Sequence, residues 1–180
     1  MTVEVVPYSA DWPAQFAQIA SRLSRALEGV PLVAVEHVGS TAVPGLAAKP
    51  ILDIDIIVER QHVQAAIAAL AKIGYAHRGD LGVTDREAFM SPDNNPRRHV
   101  YVCVEGTLHL RNHLEAREVL RARPDLRERY GAVKLALSLD PDIDKTTYVA
   151  RKSDVLEDVL SASELSDHEK TLIRALNTRG

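Results

Sequence analysis

The chain has 180 residues, 46% of them hydrophobic, which is enough for one substantial core and cramped for two full domains. Lys and Arg number 22 against 25 Asp and Glu, and the net charge of -3 argues against a protein held to nucleic acid by bulk positive charge, leaving room only for a local basic patch. The single cysteine, Cys103, excludes an intramolecular disulfide, no apolar stretch approaches the roughly 20 residues of a membrane span, and the first residues lack the pattern of a secretory signal, so a cytoplasmic protein with no membrane association is expected.

The first helix is expected to begin near Asp11, which can cap it, with Pro13 in the first turn, where its missing N–H costs nothing. Phe16, Ile19, Leu23 and Leu27 then recur at helical spacing, and Gly29 ends the run. Residues 32–37 (LVAVEH) and 51–58 (ILDIDIIV) are rich in β-branched side chains and read as strands, separated by a loop containing GSTAVPGLAAKP. Val63, Ile67 and Leu70 mark a second helix closed by Gly74. Short strands follow near 75–78 and 87–90, then the turn-rich SPDNNP and a clear strand, HVYVCVE, at 99–105.

From Thr107 onward helix formers with charged faces take over, which divides one domain into an α/β core (1–106) and a helical part (107–180). Pro124 and Asp140-Pro141 suit helix starts, which predicts three helices behind the front half. Ser166 and Glu169 form a capping box for a short last helix, and the last few residues are expected to fray.

Two aspartates interrupt an otherwise apolar strand. Residues two apart in a strand share a face, so Asp53 and Asp55 project together while Ile54 and Ile56 take the other side. Their natural partner is Mg²⁺, which takes one or two carboxylates and completes its octahedron with water and phosphate oxygens. Upstream, Gly39 allows close approach of the backbone to a ligand, Ser40 and Thr41 supply hydroxyl and N–H donors at an expected helix start, and Lys49 suits phosphate charge. Together these residues describe a site for a nucleoside triphosphate (NTP) with Mg²⁺. A Gly-Ser pair is also an ordinary turn, and Asp-x-Asp on a half-exposed sheet can face solvent or pair with arginine.

Gly39-Ser40, twelve intervening residues, then Asp53-Ile54-Asp55 in a strand resemble the signature of the DNA polymerase β-like nucleotidyltransferase superfamily. More narrowly, EHVGSTAVPGLAAKPILDI, with Tyr8, Asp11-Trp12-Pro13, HLEAREVLRARP, RYGAVK and TYVARK, resembles the GrpB family (UPF0157), whose members also occur fused to dephospho-CoA kinase. The resemblance implies an α+β fold: a nucleotidyltransferase-like mixed β-sheet flanked by helices, with a C-terminal helical extension. It also places Ser40, Asp53 and Asp55 at phosphate-binding and metal-binding positions. Active superfamily members commonly draw a third carboxylate from a neighbouring strand, expected here at HVYVCVE. There His99, Tyr101 and Cys103 share a face, and none is a carboxylate. The family's pattern of two histidines in that strand is met at His99 and departed from at Tyr101. His99 suits a base and is a poor ligand for Mg²⁺, while Cys103 reads as packed rather than reactive.

In the helical half, Tyr130 with Lys134 and Tyr148 with Lys152 are each four apart, on one helix face, and match family positions. Arg117, Lys134 and Lys152 suit closure over a triphosphate, although charged helix residues also serve as a solvated face. His109 and His113 lack a completing carboxylate and read as surface histidines. The expected function is Mg-dependent transfer of a nucleoside monophosphate (NMP) from an NTP to an unspecified acceptor. The alternative is a catalytically degenerate nucleotide-binding or folding-support module. An RNA-binding adaptor is disfavoured by the net charge of -3 and the 4% aromatic content. The sequence specifies no base, no acceptor and no oligomeric state.

Overall fold

The computed structural model describes residues 4–140 and 145–177, without the side chains of 145–146, 148–151 and 176–177. The helix start expected at Pro141, the side chain of Tyr148 and the fraying expected of the last residues lie outside the described residues. In chain order the elements are α1 (Trp12–Ala26), β1 (Ala34–Val38), β2 (Leu52–Val58), α2 (Val63–Lys72), β3 (Ala76–His77), β4 (Arg86–Met90), β5 (Arg98–Val104), α3 (Leu108–Ala122), α4 (Pro124–Ser138), α5 (Lys145–Ser161) and α6 (Asp167–Asn177). The fold is α+β, with a mixed five-stranded sheet in the order β1-β2-β5-β4-β3, flanking helices and a helical C-terminal part. The chain divides into two compact units, Ala10–Val38 with Ile51–Leu110, and Met1–Ser9 with Gly39–Pro50 and Arg111–Gly180.

The first of these units holds the sheet. β2 pairs in parallel with β5 and antiparallel with β1, while β4 pairs antiparallel with β5 and β3. The position of β2 between β1 and β5 explains its sequence, because a strand with neighbours on both edges favours Ile, Leu and Val on its core-facing side. Leu52, Ile54, Ile56 and Val58 are buried on one face with Val100 and Val102 of β5, and α1 and α2 pack against β1 and β5. Asp11 stands at the N-cap of α1 but makes no side-chain cap bond. Its carbonyl accepts from the N–H of Gln15, and its backbone is already helical, which turns the carboxylate away from the cap position. His37 is buried and stacks on Phe16 with ring centroids 4.7 Å apart, a packing role for the histidine that precedes the Gly-Ser turn.

The other unit is organised by the loop between β1 and β2. Val43 and Leu46 are fully buried among Val119 and Leu120 of α3, Leu126 and Tyr130 of α4, and Val155 and Val159 of α5. Each such burial contributes about 1.5 to 3 kcal/mol, so the apolar residues scattered through GSTAVPGL are anchors that hold an irregular segment in place. Pro124 occupies the first turn of α4. The capping box before α6 forms in full: the Ser166 N–H donates to Glu169 Oε2 at 2.9 Å and the Glu169 N–H to Ser166 Oγ at 3.3 Å. Among the described residues no helix is long and apolar enough to cross a membrane.

Candidate active site

The candidate residues form two groups, one in each unit. In the sheet unit, pleating puts Asp53 and Asp55 on one face of β2, and the parallel register places His99 beside Asp53 and Tyr101 beside Asp55. Asp55 is fully buried and the Asp53 side chain is 34% exposed. His99 Nδ1 lies 2.9 Å from Asp53 Oδ1. Because an ionised carboxylate only accepts, that nitrogen carries the hydrogen and donates it, and in the neutral ring Nε2 is then the open lone pair. The register of β5 is the one expected, with Val100 and Val102 buried on the opposite side.

Two further side chains on this face were not singled out in the sequence. Glu36 of β1 stands directly opposite Asp55 in the antiparallel ladder and therefore shares its face, so a carboxylate on a neighbouring strand does exist, on the side of β2 away from HVYVCVE. The alternation of strand 32–37 was the available signal. Arg86 of β4 pairs with Cys103 in register, and its guanidinium lies over the Tyr101 ring, 4.6 Å from the centroid. Burial pushes the Cys103 thiol well up, with the charge of Asp55 adding to the effect, and the thiol is unreactive as read from the sequence. Burial, then the charge of Asp53, raises the Tyr101 phenol.

Among the described residues no three carboxylate, imidazole or thiol side chains converge to hold a metal ion. Asp53 and Asp55, the second fully buried, still fit a single Mg²⁺, which needs no more than two carboxylates from protein when phosphate and water supply the rest. They do not fit a site that relies on three carboxylates.

In the helical unit, Gly39 has φ +71° and ψ −169°, a conformation strained for any residue with a Cβ. It opens a single 3₁₀ turn, Ser40–Ala42, where the sequence suggested a helix start. Three residues carry no useful macrodipole, so the turn offers an anion only individual N–H and side-chain donors. Lys134 of α4 donates from Nζ to Ser40 Oγ at 2.9 Å and lies 4.3 Å over the Tyr130 ring. Ser40 thus keeps its own O–H to donate. Burial, then the charge of Lys152, brings the Lys134 ammonium down to about 7. Two like charges brought together under low solvation favour an anion.

Thr41 is buried and Lys49 is half-buried. Arg117, expected near a phosphate, donates to Glu118 Oε1 at 2.7 Å. Arg121, one turn further along the same helix, was overlooked: its Nε and Nη2 reach the Ala42 carbonyl at 3.1 and 2.8 Å and pin the end of the 3₁₀ turn. His109 and His113 are half-buried rather than on the surface.

The chain matches the GrpB protein family over residues 2–162. It belongs to the GrpB family. It is 36% identical to a UPF0157 protein of Pseudomonas aeruginosa, covering 88% of this chain and 66% of that one. It is 29% identical to a UPF0157 protein of Bacillus subtilis, covering 84% and 44%. The chain thus spans 44% and 66% of the length of these two curated relatives. A dephospho-CoA kinase of Mycolicibacterium paratuberculosis is 33% identical over 83% of this chain and 43% of its own length.

Among solved structures, the GrpB protein of Enterococcus faecalis superposes with a TM-score of 0.74 at 32% identity, covering 88% of this chain and 98% of that one. The Cid1 poly(U) polymerase, in a structure bound to MgATP, gives a TM-score of 0.52 at 12% identity, covering 91% and 54%. The GrpB fold is therefore nucleotidyltransferase-like.

Proposed function

We propose that this GrpB protein is a Mg²⁺-dependent nucleotidyltransferase that passes an NMP from an NTP to an acceptor hydroxyl or phosphate. The observation that supports the reading most is the pair Asp53 and Asp55 on one face of β2, with Asp55 fully buried at a position where a carboxylate is kept only for a purpose. Asp53 and Asp55 would hold Mg²⁺, whose chemistry is to neutralise and polarise the phosphoryl group under attack. In the helical unit Ser40, whose Oγ accepts from Lys134, has its own O–H to donate to a phosphate oxygen. Lys134, Lys152 and Lys49 balance phosphate charge, and Gly39 and Thr41 shape the turn. His99, oriented by its bond to Asp53, takes the acceptor's proton at Nε2.

A nucleotide panel in a thermal-shift assay tests this, because a ligand that binds only the folded state raises stability by mass action. The expected result is stabilisation by at least one NTP in the presence of Mg²⁺ or Mn²⁺, with pyrophosphate release once a competent acceptor is added. Binding without pyrophosphate release for any of a broad set of hydroxyl and phosphate acceptors would favour the second reading, a catalytically degenerate nucleotide-binding module. That reading is supported by the lack of a converging third carboxylate among the described residues and by the kinase that carries a GrpB-like segment. No shift with any NTP would remove both nucleotide readings and leave a folding-support role.

Lys134 adds a pH signature. Its folded value of about 7 lies below the ordinary lysine range, so above pH 7 the unfolded chain binds the extra proton and stability from this group rises with pH. Triphosphate affinity runs the other way, weakening as pH rises through about 7 and the ammonium is lost. Nucleotide titrations on both sides of neutrality should show this slope in wild type and a flatter profile in Lys134→Arg, whose guanidinium stays charged. Identical slopes would remove Lys134 from the phosphate site.

A further inference from the structure

Arg86 is the cation on the acid-bearing face of the sheet that the transfer scheme leaves unused. It stands on β4, opposite Cys103, and its guanidinium lies over Tyr101, the register partner of Asp55. Among the described residues it makes no ion pair, and its buried Nε has no hydrogen-bond partner. An arginine kept only to neutralise Asp55 would close a bidentate bridge to it. This one instead lies over the Tyr101 ring. The ring contact holds the guanidinium without using its N–H donors, and a buried N–H without an acceptor is costly. The end-on fork of Nη1 and Nη2 matches two oxygens of a phosphoryl or carboxylate group, with the buried Nε behind it.

We propose that Arg86 is an oxyanion-binding residue, whose ligand is a phosphoryl or carboxylate group of the molecule bound on the acid face. The group belongs either to the nucleotide or to the acceptor. The chemistry is shared, and the source is decided by experiment. An anion here sits beside Asp53 and Asp55, so its binding strengthens when a divalent cation is present to offset their charge. The proposal deepens the transferase reading but does not require transfer, because oxyanion binding is measured without turnover.

The test is to follow the Arg86 Nε–H resonance by NMR, assigned by its loss in Arg86→Lys. Inorganic phosphate, acetate and ATP are titrated separately, first in EDTA and then with Mg²⁺. The expected result is a saturable shift of this resonance, with an affinity about tenfold or more weaker in Arg86→Met by calorimetry, for the loss of a charge-assisted pair of hydrogen bonds. A shift driven by phosphate or acetate after ATP and Mg²⁺ have saturated assigns the group to the acceptor. A shift complete with ATP and Mg²⁺ alone assigns it to the nucleotide. A resonance that none of the three ligands moves, with or without Mg²⁺, overturns the proposal. That outcome with an Arg86→Met protein less stable than wild type would make Arg86 a structural counter-charge. Stabilisation by NTP with a silent Arg86 would leave the transferase reading standing without this inference, and the reverse pattern would do the opposite.

Discussion

Arg98→Met is expected to destabilise the protein by about 2 to 4 kcal/mol, the range for removing one member of a buried, charge-assisted network. The Arg98 side chain is fully buried at the first residue of β5. It donates from Nε to the Tyr75 hydroxyl at 2.8 Å, from Nη1 to Asp93 Oδ1 at 2.8 Å and to the Pro96 carbonyl at 2.9 Å, and from Nη2 to Asp93 Oδ2 at 3.0 Å. It thereby ties the loop SPDNNP to the strand that carries His99. Methionine fills the space and makes none of these bonds, which leaves the Tyr75 hydroxyl and the Pro96 carbonyl short of a partner.

The pH dependence identifies the cause. The Arg98 guanidinium, helped by the N–H of Asn95, holds the Asp93 carboxyl well below the usual carboxylate range. A depressed folded value stabilises the native state at neutral pH, and that stabilisation is lost as pH falls below the ordinary carboxylate value toward the folded one. The deficit of Arg98→Met relative to wild type, measured by urea unfolding, should therefore shrink in acid. A deficit independent of pH would assign the loss to packing rather than to the ion pair.

Asp55→Asn is expected to abolish stabilisation by Mg²⁺ and nucleotide while leaving the metal-free protein at least as stable as wild type. Asp55 is fully buried two residues from Asp53 on the same face. Unit charges at the roughly 6 to 7 Å spacing of alternate strand residues repel by about 1 to 3 kcal/mol for effective dielectrics between about 80 and 20. Asparagine removes one of the two charges, keeps the shape and still accepts a hydrogen bond, and the nearby charge of Arg86 offsets part of the gain.

Asp53 is a poorer place for this test, because its carboxylate already accepts from His99 and its substitution disturbs that bond as well. At ligand concentrations about 100-fold above the dissociation constant, wild type should gain about 2.7 kcal/mol from Mg²⁺ and NTP, and Asp55→Asn close to none. Unfolding both proteins in EDTA and again with Mg²⁺ and nucleotide separates the cases. A variant weakened in EDTA that still gains as much as wild type would make Asp55 a structural acid and end the metal reading.

Much of the fold was legible because its signals are local. The β-branched runs, the periodic Phe16-Ile19-Leu23-Leu27 face, Pro124 and the Ser166–Glu169 box each act through neighbours a few residues away, and the elements appear where those signals lie. The alternation of Asp53 and Asp55, and of His99 and Tyr101, was also readable, because pleating alone decides which residues share a face. Asp11 stands where a capping residue was expected but forms no cap bond, because that bond depends on the backbone conformation the residue adopts. Arg117 and Arg121 could not be told apart by composition. Both pair with Glu118, and Arg121 also reaches a carbonyl 79 residues away in the chain.

The element order, the shared face of the two aspartates and the glycine at the turn follow from covalent geometry or short spacing, and membership of the GrpB family from residues spread along the chain. Strand order and register were decided only in three dimensions, since nothing in residues 32–37 states that Glu36 will stand opposite Asp55, or in β4 that Arg86 will lie over Tyr101. The state of Lys134 was decided there too. A lysine on a helix is an ordinary solvated cation until tertiary packing buries it beside Lys152 and hands its ammonium to Ser40, and the desolvation that lowers it to about 7 exists only in the folded chain.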